Sequence, residues 1–259
     1  FYSSYDQAIE ALNNKNIDGI SYLPKYFEDK INNHNALNFN QLQLPQYAAL
    51  FLNAQKAPLL GYPKIRQLLA QTIDKNKIIN DILNGEAQTL DGPLFFSQPD
   101  ATAKKYIYNP SAVKTGLNEM GWKLSDYKKM DEKYPFQVRS KSKQYLAFVI
   151  TTINQPENIA TAELIKNSWQ ALGIKTDLEI LNIADLSEKI KNRDYEILLY
   201  AEILSFDPDP YPFWHSSQTK YPGLNLSLYQ NPNADKLLED ARKTINSKIR
   251  ATKYAAFQQ

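Results

Sequence analysis

Strand-like and helix-like patterns alternate between residues 136 and 203, and this alternation constrains the fold more than any other feature of the sequence. Residues 174–180 alternate apolar with polar side chains, as a half-buried strand does. Residues 156–172 begin at a proline and stop before Gly173, as a helix does. The predicted order is strand 136–153, helix 156–172, strand 174–180, helix 184–192 and strand 195–203. Helices inserted between strands are typical of an α/β sheet.

Further helical patterns flank this region on both sides. Helices are predicted over residues 63–73, 74–85, 109–121, 231–245 and 249–257. Asp74 can cap the second of these helices, and Gly85 can supply the left-handed residue that ends it. Residues 37–53 alternate in the manner of strands, which predicts a strand pair.

Composition and charge exclude several classes of protein. The chain has 30 Lys and Arg against 28 Asp and Glu, a net charge of +2, so it presents no large basic field to nucleic acid. Basic and aromatic residues interleave only over 139–145, where a solvated edge strand is the simpler interpretation. The mean hydropathy is −0.51 and no apolar run approaches the ~18 residues of a membrane span. Cysteine is absent, which excludes disulfides and thiolate metal sites.

The residue types that mark cofactor and catalytic sites are sparse. His34 and His215 are the two histidines, and neither has a carboxylate at helical spacing, so no metal site is predicted. None of the 8 glycines stands in a phosphate-binding motif, so no nucleotide cofactor is predicted. Ser216 and Ser217 adjoin His215, but no nucleophile-elbow motif surrounds them, and a polar loop is the better interpretation.

A proline-rich loop follows the last predicted strand and carries two carboxylates, Asp207 and Asp209. Prolines at positions 208, 210 and 212 stiffen this loop. The carboxylates could serve as the acid and base of a glycosidase, as contacts to a bound ligand, or as solvated groups of an Asp-Pro turn. The residues alone leave these three interpretations open.

The order of four motifs resembles that of a known family. The chain reads DPDPYPFWHSSQ at 207–218, YQNP at 229–232, DKLLEDAR at 235–242 and, earlier, FLN at 51–53 followed by APLLGYPKIRQLLAQTIDKNKIINDILNG at 57–85. These blocks look like those of the family 5 extracellular solute-binding proteins, the oligopeptide- and dipeptide-binding class. Two further blocks, Tyr108–Trp122 and Trp169–Ile174, are similar to helices of that family. Thr72 stands where the family usually has Ala.

The resemblance implies a bilobal α/β protein with a periplasmic-binding-protein-like fold (type II, cluster C-like), in which a mixed sheet is flanked by helices. By this resemblance residues 1–45 form the tail of the first lobe and the crossover. Residues 46–259 form the second, carboxyl-terminal lobe, truncated before the final return to the first lobe.

The resemblance also implies a function. Such a protein captures oligopeptides between its lobes outside the cytoplasm, in a periplasm or lipid-anchored at the cell surface, and delivers them to the permease subunits of an ABC transporter. It is expected to be a monomer without a cofactor or enzymatic activity. An oligosaccharide or other small-solute receptor of the same fold is the alternative, and a secreted glycoside hydrolase using Asp207 and Asp209 is a more distant one.

The ligand contacts expected from the resemblance cluster around the proline-rich loop. In peptide-binding members an Asp just upstream of the Asp-Pro turn meets the α-amino group of the ligand, and the aligned residue here is Phe206. Asp207 or Asp209 could replace that Asp, whereas Phe206 favours stacking on an apolar or sugar face. The candidate ligand-binding residues are Asn53, Tyr200, Glu202, Phe206, Asp207, Asp209, Tyr211 and Trp214. For each aromatic residue, packing in the core is the competing interpretation.

Overall fold

The computed structural model describes residues 2–32, 34–40, 46–94, 105–127, 136–203 and 209–258. The strands are β1 Gln46–Leu52, β2 Lys123–Ser125, β3 Val138–Lys141, β4 Gln144–Tyr145, β5 Ala147–Ile153, β6 Lys175–Leu181 and β7 Ile197–Ile203. The α-helices are α1 Tyr5–Asn13, α2 Pro63–Ala70, α3 Lys75–Lys77, α4 Pro110–Glu119, α5 Pro156–Gln170, α6 Ile183–Asn192, α7 Tyr211–Trp214, α8 Pro232–Arg242 and α9 Ser247–Phe257. The chain divides into two units, Phe1–Leu44 and Pro45–Gln259.

The smaller unit consists of α1 and two 3-10 helices, Lys25–Lys30 and His34–Ala36. The side chain of Asn13 ties these parts together, because its Nδ2 donates to the carbonyl of Lys30 and its Oδ1 accepts from the amide of Asn32. Residues 37–40 form no strand, and residues 41–45 lie outside the described part of the chain. Of the strand pair predicted over 37–53, the structure therefore confirms the second strand, β1.

A four-stranded mixed sheet is the centre of the larger unit, with strand order β1-β7-β5-β6. β5 pairs in parallel with both β6 and β7, whereas β1 pairs antiparallel with β7. α5 connects β5 to β6, and α6 connects β6 to β7. The alternation predicted for 147–203 and the α/β fold class are confirmed. The predicted strand 136–153 is instead divided into β3, β4 and β5, of which only β5 belongs to this sheet. Within the described residues, none of the helices combines the length and apolar character that a membrane span requires.

Helix ends follow the predicted capping chemistry. The Asp74 carboxylate accepts from the amide of Lys77, at the start of α3 and the π-helical turn Ile78–Ile82 that continues it. Gly85 follows this turn with φ of +79°, the left-handed conformation that glycine adopts without strain. Gly173 ends the α5 region with φ of +81°, and a side chain there would collide with Leu124.

The two faces of the mixed sheet bury separate hydrophobic clusters. Leu198 and Leu199 are neighbours in β7 and therefore point to opposite faces. Leu199 packs with the cluster that α2, α4 and α5 cover, which includes the fully buried Trp169. Leu198 packs with the cluster that α6 covers through Leu186. Helices thus protect both faces of the sheet, as its parallel strands require.

The small sheet, with order β2-β3-β4, is joined to the helices by the buried side chain of Arg139. Its guanidinium donates to the carbonyl of Leu172 at 2.6 Å, to Asn118 Oδ1 at 2.6 Å and to the carbonyl of Trp122 at 2.7 Å. Burial lowers the pKa of Arg139 from its ordinary value. The expectation of a solvated basic strand over 139–145 is therefore wrong at Arg139, because tertiary acceptors compensate for burial of the charge.

Candidate functional site

The winding of the chain reverses beside β5, and this reversal locates the candidate site. The chain leaves β5 through α5 to one neighbouring strand, β6, and returns through α6, on the opposite face, to the other neighbour, β7. In open α/β sheets, ligands bind outside the carboxyl ends of the strands at such a reversal. The carboxyl ends of β5 and β7 are therefore the expected ligand edge of this sheet.

Two predicted contacts, Tyr200 and Glu202, lie on β7 close to this edge. They alternate on the same face of the sheet as Leu198, and Tyr200 is half-buried against the cluster under α6. The antiparallel register places Tyr47 of β1 directly opposite Glu202 and Ala49 opposite Tyr200. Residues opposite each other across a strand pair can interact through their side chains.

Glu202 is a buried carboxyl group with one partnered and one unpartnered oxygen. Only 5% of the residue is exposed. The Tyr47 hydroxyl donates to Oε2 at 2.5 Å, while Oε1 is buried and has no hydrogen-bond partner among the described residues. Burial raises the pKa of Glu202 from its ordinary 4.5 to about 7, against the opposing effects of the Tyr47 hydrogen bond and the charge of Arg193. Burial also raises the pKa of Tyr47.

Asn53 lies at the other end of the sheet. Because β1 runs antiparallel to β7, residue 53 follows the pairing of Leu52 with Ile197, at the amino end of β7. That end is roughly 17 Å from Glu202 at the ~3.4 Å rise of a strand residue. The buried Asn53 side chain donates to the carbonyl of Arg193 and accepts from the amides of residues 55 and 56. The structure therefore places Asn53 in a turn and does not bring it together with Glu202.

The loop after β7 re-enters the described part of the chain at Asp209, whose carboxylate is already engaged. Oδ1 accepts from the amide of Tyr211 at 3.1 Å, which starts the short helix α7. Oδ2 lies 2.9 Å from Nε of Arg242 at the end of α8. Asp209 thus ties the loop to α8. Phe206 and Asp207, the other two predicted contacts of this loop, lie outside the described residues.

The ring of Tyr211 contacts the guanidinium of Arg242 and the imidazole of His215. The guanidinium carbon of Arg242 lies 4.3 Å from the ring centroid, within cation–π range. The imidazole of His215 stacks on the ring at a centroid distance of 4.1 Å and an interplanar angle of 19°. Sequence reasoning did not assign Arg242 to the site, although it closes the DKLLEDAR motif.

His215 has a defined set of polar partners around its buried ring. The amide of Ser217 donates to Nδ1 at 3.1 Å, so the neutral ring carries its proton on Nε2. Nε2 lies 3.3 Å from Glu239 Oε1 and 3.9 Å from Asp235 Oδ1. In the part of the chain that the structure describes, no group of three or more His, Asp or Glu side chains is placed to hold a metal ion. The side chain of His34 lies outside the described part.

Trp214 is half-buried and packs among the carboxyl-terminal helices. Its ring lies 6.3 Å, centroid to centroid, from the rings of Tyr229 and Phe257. The fully buried Asn225 fixes the backbone beneath it, because Nδ2 donates to the carbonyls of Trp214, His215 and Tyr229. Trp214 thus packs against the buried cluster of α8 and α9 that Leu238, Ala241 and Tyr254 form.

Comparison with known proteins gives a consistent result. Residues 1–225 match the family described as "Bacterial extracellular solute-binding proteins, family 5 Middle". The chain is 28% identical over 213 residues to the oligopeptide-binding protein AppA of Bacillus subtilis, covering 79% of this chain and 37% of AppA. It is 27% identical over 252 residues to the probable D,D-dipeptide-binding periplasmic protein DdpA of Escherichia coli, covering 95% of this chain and 45% of DdpA. The chain thus spans less than half the length of these two relatives.

Solved structures share the fold. AppA of Bacillus subtilis in complex with a nonapeptide superposes with a TM-score of 0.84 at 24% identity, over 98% of this chain and 50% of that one. NikZ of Campylobacter jejuni in complex with Ni(L-His) superposes with a TM-score of 0.70 at 24% identity, over 83% of this chain and 42% of that one. The periplasmic-binding-protein-like fold implied by the motifs is confirmed. The chain belongs to the family 5 bacterial extracellular solute-binding proteins.

Proposed function

We propose that the protein containing this chain is the substrate-binding component of an ABC importer and that it captures oligopeptides. The observation that carries the proposal is the family's α/β lobe with a ligand edge at the carboxyl ends of β5 and β7, where Tyr200 and Glu202 lie. Two relatives of this chain are named for the binding of oligopeptides and of a D,D-dipeptide. This likeness favours peptides over the oligosaccharide alternative.

In this proposal residues 46–259 contribute the second lobe and residues 1–45 the end of the first lobe and the crossover. Tyr200 and Glu202 contact the ligand directly, and Phe206 and Asp207 join them from the loop that follows β7. Asp209, Tyr211 and Trp214 act differently: their contacts with Arg242, His215 and Phe257 support the proposal that they hold the loop in place. Asn53 is a structural residue in this proposal.

The proposed role is binding without catalysis. The protein acts outside the cytoplasm, in a periplasm or anchored by lipid at the cell surface, as a monomer that delivers its ligand to permease subunits. The engagement of Asp209 by Arg242 weakens the hydrolase alternative, because a carboxylate held in an ion pair is a poor general acid. No cofactor is needed for this role.

Ligand-induced stabilisation of the full-length protein tests the proposal. Peptides of two to nine residues are compared with oligosaccharides of similar mass in thermal unfolding. A peptide present at 100 times its Kd is expected to stabilise the native state by about 2.7 kcal/mol, since it binds the folded and not the unfolded protein. Native mass spectrometry of gently purified protein is expected to show a series of peptide masses. Stabilisation by oligosaccharides alone would contradict peptide capture.

A further inference from the structure

The connection between α8 and α9 combines exposed isoleucines with a local excess of positive charge, and the candidate site does not use it. Ile245, in the connection 243–246, is 99% exposed, and Ile249, in the first turn of α9, is 54% exposed. We call residues 243–250 the tip. The basic side chains in and around the tip are Arg242, Lys243, Lys248, Arg250 and Lys253, and residues 241–259 contain no Asp or Glu.

The exposure of Ile245 follows from the way α9 begins. Asn246 caps the helix, because its Oδ1 accepts from the amides of residues 248 and 249. An apolar residue directly before such a cap often packs against the residue five positions further along the chain. That residue here is Arg250, and Ile245 remains in water. The buried contacts between the two helices come from other residues, namely Leu238, Ala241 and Tyr254.

Two of the basic side chains have no acidic partner. Three ion pairs engage the others: Arg242 with Asp209, Lys243 with Glu239 at 4.0 Å, and Lys253 with Asp240 at 3.8 Å. Lys248 and Arg250 make no ion pair with any residue that the structure describes. Helical spacing places Lys248 beside Ile249 on the side of α9 that faces away from the buried Tyr254. An unpaired cation and an exposed isoleucine are therefore neighbours on the outer surface.

This combination of side chains fits an anionic lipid surface. Phosphate groups of lipids attract Lys and Arg, and the layer beneath the headgroups accepts apolar side chains. A specific protein partner usually buries about 800 Å² on each side of its interface. The tip offers a projecting connection and one turn of helix instead of such a patch, so its charge and its shape favour lipid over a protein partner.

We propose that the tip is a membrane-contact site, in which Lys248 and Arg250 bind the headgroups of anionic phospholipids and Ile245 inserts between them. This role goes beyond the proposed function and does not depend on which ligand the protein captures. Two cations and one isoleucine make a weak and reversible contact. Such a contact keeps the lobe close to a membrane and adds to the effect of any lipid anchor.

Sedimentation of the full-length protein with vesicles tests this role. The protein is prepared without attached lipid and mixed with vesicles of phosphatidylcholine, either alone or with about 30 mol% phosphatidylglycerol. The wild type is expected to bind the vesicles that contain phosphatidylglycerol and not the others. Its partition coefficient is expected to fall about tenfold as the salt concentration rises from about 0.05 to about 0.5 M, because salt screens the attraction.

Four variants separate the tip from general effects of charge and hydrophobicity. Lys248→Gln is expected to lower the partition coefficient about fivefold, and Ile245→Ser is expected to lower it several-fold. Lys114→Gln, at an exposed position of α4, and Ile107→Ser, at a position that is 74% exposed, are the matched controls and are expected to keep the wild-type value. All four positions are exposed, so the thermal unfolding of the variants should match that of the wild type.

Each result decides a different point. Equal sedimentation with both kinds of vesicle, or with neither, would overturn the membrane contact. Equal losses in Lys248→Gln and Lys114→Gln would also overturn it, because they would trace binding to the overall charge. Weaker association of Ile245→Ser with the detergent-solubilised permease, without vesicle binding by the wild type, would identify a protein partner in place of lipid. These results leave peptide capture untouched.

Discussion

Tyr47 and Glu202 face each other across β1 and β7, and the Tyr47 hydroxyl donates to the Glu202 carboxyl group over 2.5 Å. This pair joins the strand that opens the larger unit to the strand that leads into the proline-rich loop. The carboxyl group of Glu202, with a pKa of about 7, is thereby buried near the carboxyl end of β7. The pair therefore makes the stability of this protein sensitive to pH.

The first prediction concerns the pH dependence of stability in the absence of ligand. Because the pKa of Glu202 is raised in the folded state, the contribution of Glu202 to the free energy of unfolding is fully present below about pH 4.5. This contribution is lost as the pH rises through about 7. The loss is about 2–4 kcal/mol. Glu202→Gln is expected to remove this loss and to be the more stable protein at pH 8. Urea unfolding at pH 5 and pH 8 measures the loss. Glu163→Gln, at a partly exposed position of α5, is the control that should follow the wild type.

The second prediction concerns Tyr47, whose hydroxyl donates to Glu202. Tyr47→Phe removes a hydrogen bond that favours the ionised form of Glu202, so the pKa of Glu202 is expected to rise above about 7. The variant should lose about 1–3 kcal/mol at pH 8, where the carboxylate needs its donor, and less at pH 5. The same unfolding series measures both values. Equal losses at the two pH values would contradict the preference of the Tyr47 hydroxyl for the ionised form of Glu202.

The third prediction concerns the anchor of the proline-rich loop. Arg242 pairs with Asp209 and covers the ring of Tyr211, so Arg242→Gln should destabilise the protein by about 1 kcal/mol. Together with Asp209→Asn, the double variant should fall short of the sum of the single effects by about 0.5 kcal/mol. Urea unfolding of the wild type, the two single variants and the double variant completes this double-mutant cycle. Lys243→Gln, at an exposed neighbouring position, should change stability by less than about 0.5 kcal/mol.

The fourth prediction concerns a buried hydrogen bond of Thr72, the residue that stands where the family usually has Ala. Trp169 Nε1 donates to the hydroxyl of Thr72, which itself donates to the carbonyl of Leu69. Thr72→Val keeps the shape but leaves the indole nitrogen without an acceptor, at about 1–3 kcal/mol. Thr252→Val, at an exposed helical position, is the control. Stability equal to the wild type would mean that Trp169 finds another acceptor.

The sequence alone predicted local structure where one residue type or period decides the conformation. Gly121 and Gly173 end helices with φ above +80°, and Asn109 caps α4 by accepting from the amide of residue 112. The period-2 and 3.6-residue patterns predicted the strands and helices of 147–203 in the right order. These signals act over a few residues, so they can be read without knowledge of the rest of the chain.

The motifs around the proline-rich loop predicted the family, and the region of the site stays a prediction. The residues that the structure groups at the candidate site were only partly predicted. Glu202 and Tyr200 were named as candidates, but Tyr47, Arg242 and His215 were not. No local sequence pattern identifies the side chains that these three residues contact in the folded protein. Asn53 was named with the site and lies at the opposite end of the sheet, because it belongs to a turn.

What the sequence by itself determined is the alternation of strands and helices, the helix ends and the family. The tertiary structure alone decided which strands are neighbours and in which register, and therefore that Tyr47 meets Glu202 across 155 residues of sequence. It also decided that Arg139 is buried and that one oxygen of Glu202 has no hydrogen-bond partner within the described part of the chain. The physical reason is that strand order and register are set by how both faces of the sheet pack, and packing joins residues far apart in the chain.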